Sequence, residues 1–127
     1  MCEICKMCKE RYDMSNEVLE LSFEYSVLSV KFVRDMKKTT CEFELMSQFL
    51  RSATSVGANI TEAQFPQSKA DFVSKMSIAR KEANESKYWL RLLVATEIVA
   101  KEQVDELLQK IERILKLLNA IIISSRK

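Results

Sequence analysis

The chain contains no histidine, and it has only one glycine and one proline among its 127 residues. The missing histidine removes Ser–His and Cys–His nucleophilic pairs, as well as the Glu-x-x-His pairs with which ferritin-like bundles hold di-iron. Scarce glycine and proline argue against an all-β fold, because turns between strands consume both. No apolar run is long enough to cross a membrane, and no signal peptide is evident. We therefore expect a cytoplasmic, all-α protein with long helices, which is not an enzyme and uses no cofactor.

The composition is that of one domain with its own core, since 47% of the residues are hydrophobic and 30% are charged. The formal net charge is only +2, from 20 basic and 18 acidic residues. Nucleic-acid binding normally needs a strongly basic domain or patch, so any such binding would depend on segregated charge. We divide the chain into a cysteine-bearing lead, residues 1–14, and a helical domain, residues 15–127.

Apolar residues recur at helical spacing in four segments. The predicted helices cover residues 16–38, 41–64, 69–98 and 102–124. Ser15 and Ser68 are the expected N-caps of the first and third helices, and Asp71 lies at the capping-box position after Ser68. Four helices of similar length with short connections predict an antiparallel up-down-up-down four-helix bundle.

Helix 1 carries two apolar stripes, where a surface helix of a monomer normally needs one apolar face. The stripes consist of Leu19, Phe23, Val30 and Val33, and of Leu21, Tyr25, Leu28 and Phe32. In helix 4, Leu117 and Ile123 widen the apolar seam in the same way. This surplus apolar surface predicts a homo-oligomer, because a large exposed patch would otherwise favour aggregation.

Residues 51–63 form a helical run built mostly from small side chains. Gly57 costs about 1 kcal/mol there relative to alanine, so we interpret the run as a seam where another helix approaches closely. Arg51, Asn59 and Glu62 add polar groups that would suit either a catalytic site or the seam itself. No nucleophile or base accompanies them, so we favour the structural reading. In that reading Arg51 and Glu62 pair across helices, and Asn59 satisfies polar groups at the seam.

The same run carries a family resemblance. Residues 48–62 read QFLRSATSVGANITE, and residues 68–72, 78–83 and 85–90 continue the match. They resemble the bacterial four helix bundle protein family, which includes proteins encoded in intervening sequences of large-subunit ribosomal RNA genes. That family is related to the accessory variability proteins of diversity-generating retroelements.

The resemblance spans about residues 15–124. It implies a four-helix bundle assembled as a barrel-like homopentamer. The retroelement relatives bind nucleic acid and a reverse transcriptase through basic surfaces. The resemblance therefore implies RNA, DNA or a reverse transcriptase as a partner of this chain, which would act as a scaffold or adaptor.

Two groups of residues are candidates for nucleic-acid binding, because a row of cations can contact successive phosphates. The first group lies along a face of helix 3 and consists of Arg80, Asn84, Lys87 and Arg91. The second lies at the end of helix 1 and consists of Lys31, Arg34, Lys37 and Lys38. The first group could instead be a solvated face that pairs with nearby acids or a neighbouring helix. The second could simply complement the helix dipole.

The lead contains Cys2, Cys5 and Cys8 in a C-x2-C-x2-C pattern, with Cys41 as a more distant fourth cysteine. Thiolates at this spacing can bind zinc or an iron–sulfur cluster. Reduced free thiols are the alternative, since an intracellular protein keeps its cysteines reduced. A metal- or redox-linked protein that uses this cluster is thus the second functional hypothesis.

Overall fold

The computed structural model describes residues 3–126, except for the side chains of residues 3–5, 7 and 8. This part of the chain folds into four α-helices and no strand. Their bounds are α1 Glu3–Met36, α2 Phe43–Ala63, α3 Lys69–Ala95 and α4 Lys101–Ser125. The predicted number and order of the helices are confirmed, and most of the predicted boundaries lie within three residues of the observed ones.

The start of α1 is the exception, because the helix begins at Glu3 and passes through Ser15, the expected N-cap, without a break. Residues 3–14 contain neither glycine nor proline, and their Glu, Lys, Met and Arg residues are good helix formers. The helix therefore has 34 residues where α2 has 21. At 1.5 Å per residue these correspond to about 51 Å and about 32 Å, and the first turns of α1 extend beyond the end of α2.

The N-terminus of α3 is capped as the sequence predicts. The Ser68 hydroxyl accepts a hydrogen bond from the Asp71 N–H at 3.0 Å. The Asp71 carboxylate accepts one from the N–H of Gln67, one residue before the N-cap, at 3.1 Å. The first bond satisfies one of the N–H donors that a helix N-terminus leaves free, and the second bonds the residue that precedes the N-cap.

A Schellman turn ends α3 at Ala95, three residues earlier than predicted. The Ile98 N–H donates to the Leu93 carbonyl and the Glu97 N–H to the Val94 carbonyl, both at 3.0 Å. Glu97 adopts a φ of 62°, a left-handed conformation that is usually taken by glycine. Because position 97 holds a glutamate and not a glycine, no residue type marks the end of this helix.

The helices form a closed cycle in which α1 contacts α2 and α4, and α3 contacts α2 and α4. Side-chain pairs along α3 and α4 run in opposite directions, since Arg80 contacts Asn119 whereas Lys87 contacts Glu112. With three short connections, this arrangement is the predicted up-down-up-down four-helix bundle. The diagonal helices α1 and α3 meet in the core through Tyr25 and Ser86.

The cores of α3 and α4 follow the helical spacing of apolar residues on which these helices were predicted. The buried residues of α3 run from Met76 to Leu93 and those of α4 from Val104 to Ser125, and Leu108 is half-buried. Leu117, expected to widen the apolar arc of α4, is also buried, while Ile123 is 59% exposed.

The buried face of α1 differs from both predicted stripes. It follows Val18, Ser22, Tyr25, Ser29 and Phe32, so two serines occupy core positions. Apolar residues are instead left outside the core: Phe23 is 70% and Val27 37% exposed, beside the half-buried Leu19. We refer to Leu19, Phe23 and Val27 as the outer face of α1. No helix within residues 3–126 combines the length and apolar character that a membrane crossing requires.

Candidate nucleic-acid interface

Three of the four predicted binding residues on α3 are engaged within the bundle. The Arg80 guanidinium donates to the Asn119 side chain of α4 at 3.1 Å. Lys87 forms an ion pair with Glu112 of α4. Asn84 donates to the main-chain carbonyl of Arg80 at 3.2 Å. Arg80 and Lys87 therefore pair with a neighbouring helix, α4, whereas Asn84 bonds only within α3.

Arg91, the fourth member of the row, is exposed and has no ion pair within the described part of the chain. It lines a surface groove of about 450 Å³ between the end of α3 and the start of α4. We call this cavity the Arg91 groove. Its lining consists of Tyr88, Arg91, Leu92, Val94, Ala95, Lys101 and Leu108. It contains two cations, one aromatic ring and no carboxylate.

The four predicted cations of α1 are all exposed. Lys38 lies 3.8 Å from Asp35, and the two side chains are 73% and 69% exposed, so solvent screening leaves this pair little energy. Lys31, Arg34 and Lys37 make no ion pair among the described residues. They remain available to an external anion.

The antiparallel topology places the ends of α1 and α3 at the same end of the bundle. The cations of α1 and the Arg91 groove consequently lie at one end of the molecule. Glu42, Glu97 and Glu102 belong to the same end and are also exposed. This end is therefore rich in charge of both signs, as the small net charge requires.

Other cations are neutralised in the groove between α1 and α4. Glu17 accepts two hydrogen bonds from Arg113, at 2.8 and 3.1 Å, and Glu24 accepts one from Lys110 at 3.3 Å. The hydrogen bond and the negative charge of Glu17 raise the pKa of Arg113 above its usual value. These pairs connect α1 to α4. Because their side chains are paired, Arg113 and Lys110 are not free to bind phosphate.

The small-residue seam of α2 lies against α1 at Gly57. A Cβ atom at Gly57 would lie 3.3 Å from the Ser22 carbonyl oxygen and 3.2 Å from the Ser26 hydroxyl. The helices therefore approach closely here, and a larger side chain would have to push a backbone away.

The polar residues of the seam behave differently from one another. Glu62 forms an ion pair with Lys75 of α3 at 2.9 Å, and this contact raises the pKa of Lys75. Asn59 donates to the Ser55 carbonyl of its own helix at 2.8 Å. Arg51 is exposed, and the described residues give its side chain no partner, so the expected pairing across helices holds for Glu62 alone.

Hydroxyl groups along the seam bond to the backbone of their own helix. Ser52 donates to the Phe49 carbonyl at 2.9 Å, and Thr61 donates to the Gly57 carbonyl at 2.7 Å. On α1, the buried Ser29 donates to the Tyr25 carbonyl at 2.7 Å. Small polar side chains can thus be buried without a partner on the facing helix.

The side chains of Cys2, Cys5 and Cys8 lie outside the described residues, so the predicted metal site lies there too. Cys41 is an exposed free thiol just before α2. The described side chains contain no group of three metal-binding residues.

Sequence reasoning missed two residues of the Arg91 groove. Tyr88 lies three residues before Arg91, and this spacing places both on one helical face, so the pattern could have revealed it. Lys101 is brought to the groove by the turn after α3. No periodicity in the sequence relates Lys101 to Arg91.

A family model and a solved structure are similar to this chain. The family model of the 23S rRNA-intervening sequence protein matches residues 14–120. A crystal structure of a protein with unknown function, from the S23 ribosomal protein family of Bacteroides thetaiotaomicron, has a TM-score of 0.83 and 44% sequence identity. The alignment covers 87% of this chain and 98% of that chain. Among curated proteins there is no significant match.

Proposed function

Since this chain belongs to the 23S rRNA-intervening sequence protein family, we propose that it is a non-enzymatic scaffold or adaptor associated with nucleic acid. In this proposal the bundle assembles into a barrel-like homo-oligomer of five copies in the cytoplasm. Its partner is RNA, DNA or a nucleic-acid enzyme such as a reverse transcriptase. The cations at the ends of α1 and α3 make the contacts.

The observation that carries the proposal is a group of exposed cations at one end of the bundle, none of which has an ion-pair partner among the described residues. The group consists of Lys31, Arg34, Lys37, Arg91 and Lys101. Of the remaining predicted residues, Arg80 and Lys87 connect α3 to α4, and Asn84 bonds to the backbone of its own helix. Free cations release counterions when they meet phosphates. Because carboxylates share this end, we expect the binding to be weak and highly sensitive to salt.

The outer face of α1 supports assembly. Phe23 and Val27 project into solvent on a helix whose opposite side already fills the core. An exposed apolar patch of this kind marks an interaction surface. Repetition of the subunit would also bring several copies of the basic end together, and several weak sites on one particle bind a long nucleic acid more tightly than one site does.

Fluorescence anisotropy with a labelled 20-nucleotide RNA, and with the DNA of the same sequence, tests the proposal. We expect binding at low ionic strength that decreases as salt is added. Changing Lys31, Arg34 and Lys37 together to Gln should weaken it and reduce the slope of log K against log salt by about 2, from about 0.7 for each phosphate contact to a single strand.

Lys9, Lys81 and Lys116 form the matched control. They are also exposed and have no ion pair among the described residues, but they lie away from this end. The triple change to Gln there lowers the net charge by the same amount and should leave most of the affinity intact. Equal losses in the two variants, or no binding by the wild type at low salt, would refute the proposed interface.

A further inference from the structure

The Arg91 groove combines an aromatic surface with positive charge. Tyr88 is 55% exposed, and Leu92, Val94 and Leu108 provide further apolar lining. Arg91 and Lys101 lie on either side of the turn that joins α3 to α4. A ligand that fits this groove has a flat apolar portion and carries negative charge.

A second ring supports the orientation of Tyr88. The Trp89 ring lies 5.2 Å from it, centroid to centroid, in an edge-to-face arrangement with an interplanar angle of 70°. The Trp89 indole N–H in turn donates to Glu85 at 3.4 Å. An aromatic side chain that is already oriented loses little freedom when a flat ligand stacks on it.

We propose that Tyr88, Arg91 and Lys101 form a binding site for single-stranded nucleic acid, in which a base stacks on Tyr88 and the adjoining phosphates contact Arg91 and Lys101. This inference rests on the proposed function, and it specifies which form of nucleic acid is bound and where. Stacking on an aromatic ring combined with charge along the backbone is how proteins hold single strands. A duplex keeps its bases stacked inside and cannot offer one to Tyr88.

A protein ligand fits the Arg91 groove less well than a nucleic acid does. An acidic peptide would neutralise Arg91 and Lys101, but it would leave the Tyr88 ring and its apolar surroundings without a flat partner. A nucleotide supplies the ring and the charge together. The volume of about 450 Å³ lies in the range of small-molecule sites.

Trp89 is the only tryptophan of the chain and a natural probe of this site, because it contacts the ring on which the base would stack. The experiment titrates the protein at low salt with a uridine decamer and, separately, with a thymidine decamer. Trp89 emission reports contact at the groove, and the anisotropy of the labelled decamers reports all binding. We expect both signals to give the same Kd.

Tyr88→Ala should weaken binding about tenfold or more, as expected for the loss of one stacked base, whereas Tyr88→Phe keeps the ring and should bind within about twofold of the wild type. Arg91→Gln and Lys101→Gln should each reduce the salt slope by about 0.7. Lys81→Gln is the control, because Lys81 is an exposed cation of α3 outside the groove. Circular dichroism checks that every variant is folded.

The outcomes separate this site from the proposed function as a whole. A stronger response to uridine would identify RNA as the ligand, and equal responses would identify a site for single strands of either kind. Binding without a change in Trp89 emission, and unaffected by Tyr88→Ala, would overturn the site and leave the proposed function intact. If neither decamer binds, both are overturned. An equal, Tyr88-dependent response to a glutamate decamer would instead identify the ligand as an acidic protein segment.

Discussion

The Tyr25 hydroxyl lies 2.9 Å from the Ser86 hydroxyl, and this hydrogen bond joins α1 to α3 across the diagonal of the bundle. Both residues are fully buried. Ser86 also donates to the Ala83 carbonyl of its own helix at 2.9 Å, so the Tyr25 hydroxyl is left to donate to Ser86. Among the described residues this pair connects two helices that otherwise make little contact.

Replacement of Tyr25 by Phe should lower the free energy of unfolding by about 1 kcal/mol, because it removes one buried hydrogen bond while the ring stays in place. Urea denaturation measures this change. Tyr12→Phe is the control, since Tyr12 is 67% exposed, and we expect no measurable effect there. If Tyr25→Phe is as stable as the wild type, the diagonal hydrogen bond does not stabilise the fold.

The same tyrosine should make the protein sensitive to alkali. Burial raises the pKa of Tyr25 above the usual tyrosine value of about 10, although the hydrogen bond to Ser86 partly opposes the effect. Because the folded-state pKa exceeds the unfolded one, the contribution of Tyr25 to stability is fully present below pH 10 and is lost as the pH rises further.

The difference in unfolding free energy between the wild type and Tyr25→Phe isolates the contribution of Tyr25 from that of the other titratable groups. Above pH 10 the difference in unfolding free energy should shrink by up to about 1.4 kcal/mol per pH unit. Urea titrations at several alkaline pH values measure it. A difference that stays constant with pH would show that Tyr25 ionises as easily in the folded chain as in the unfolded one.

Gly57→Val should destabilise the bundle by about 2 kcal/mol or more, because the added side chain must displace the backbone of Ser22 on α1. Ala58→Val is the matched control on the adjacent, exposed position of the same helix. There only helix propensity is lost, which costs less than about 1 kcal/mol. Equal melting temperatures for the two variants would contradict the close approach of α1 and α2.

Glu97→Gly should stabilise the protein by about 1 kcal/mol, since glycine adopts a φ of 62° without the strain that a side chain brings. Glu97→Ala removes the same charge from the end of α3 but keeps the unfavourable conformation, so it serves as the control. Thermal unfolding of the three proteins compares them. A gain of equal size in both variants would assign the effect to charge rather than to conformation.

Phe23→Glu should reduce the size of the assembly, because it places a charge on the outer face of α1. Multi-angle light scattering at micromolar concentration measures the mass. Phe65→Glu is the control, as Phe65 is 86% exposed in the connection between α2 and α3. A wild type that is already monomeric would refute the predicted homo-oligomer.

The fold could be predicted because the signals that specify it are local. Long apolar stripes specify α3 and α4, and Ser68 with Asp71 specifies the start of α3. The start of α1 could not be predicted, because Ser15 resembles a cap although nothing in the residues before it stops a helix. Hydrophobicity also misled the choice of its buried face, where close packing selects Ser22 and Ser29 over Phe23.

The candidate interface was less predictable, because ion pairs between helices are not encoded in the spacing along one helix. Helical periodicity placed Arg80, Lys87 and Arg91 in one row. It could not show that Asn119 and Glu112 of α4 occupy the first two and leave the third free. The folded arrangement of α3 and α4 decides which cations reach solvent.

Because α1 is longer than α2, the two ends of the bundle differ in structure. Its first turns project beyond α2 at the end of the bundle opposite to the Arg91 groove. In a ring of parallel subunits, these projections would gather on one rim and the grooves on the other. Such a ring would have two chemically different faces, so a strand bound on one face would leave the other free for a second partner.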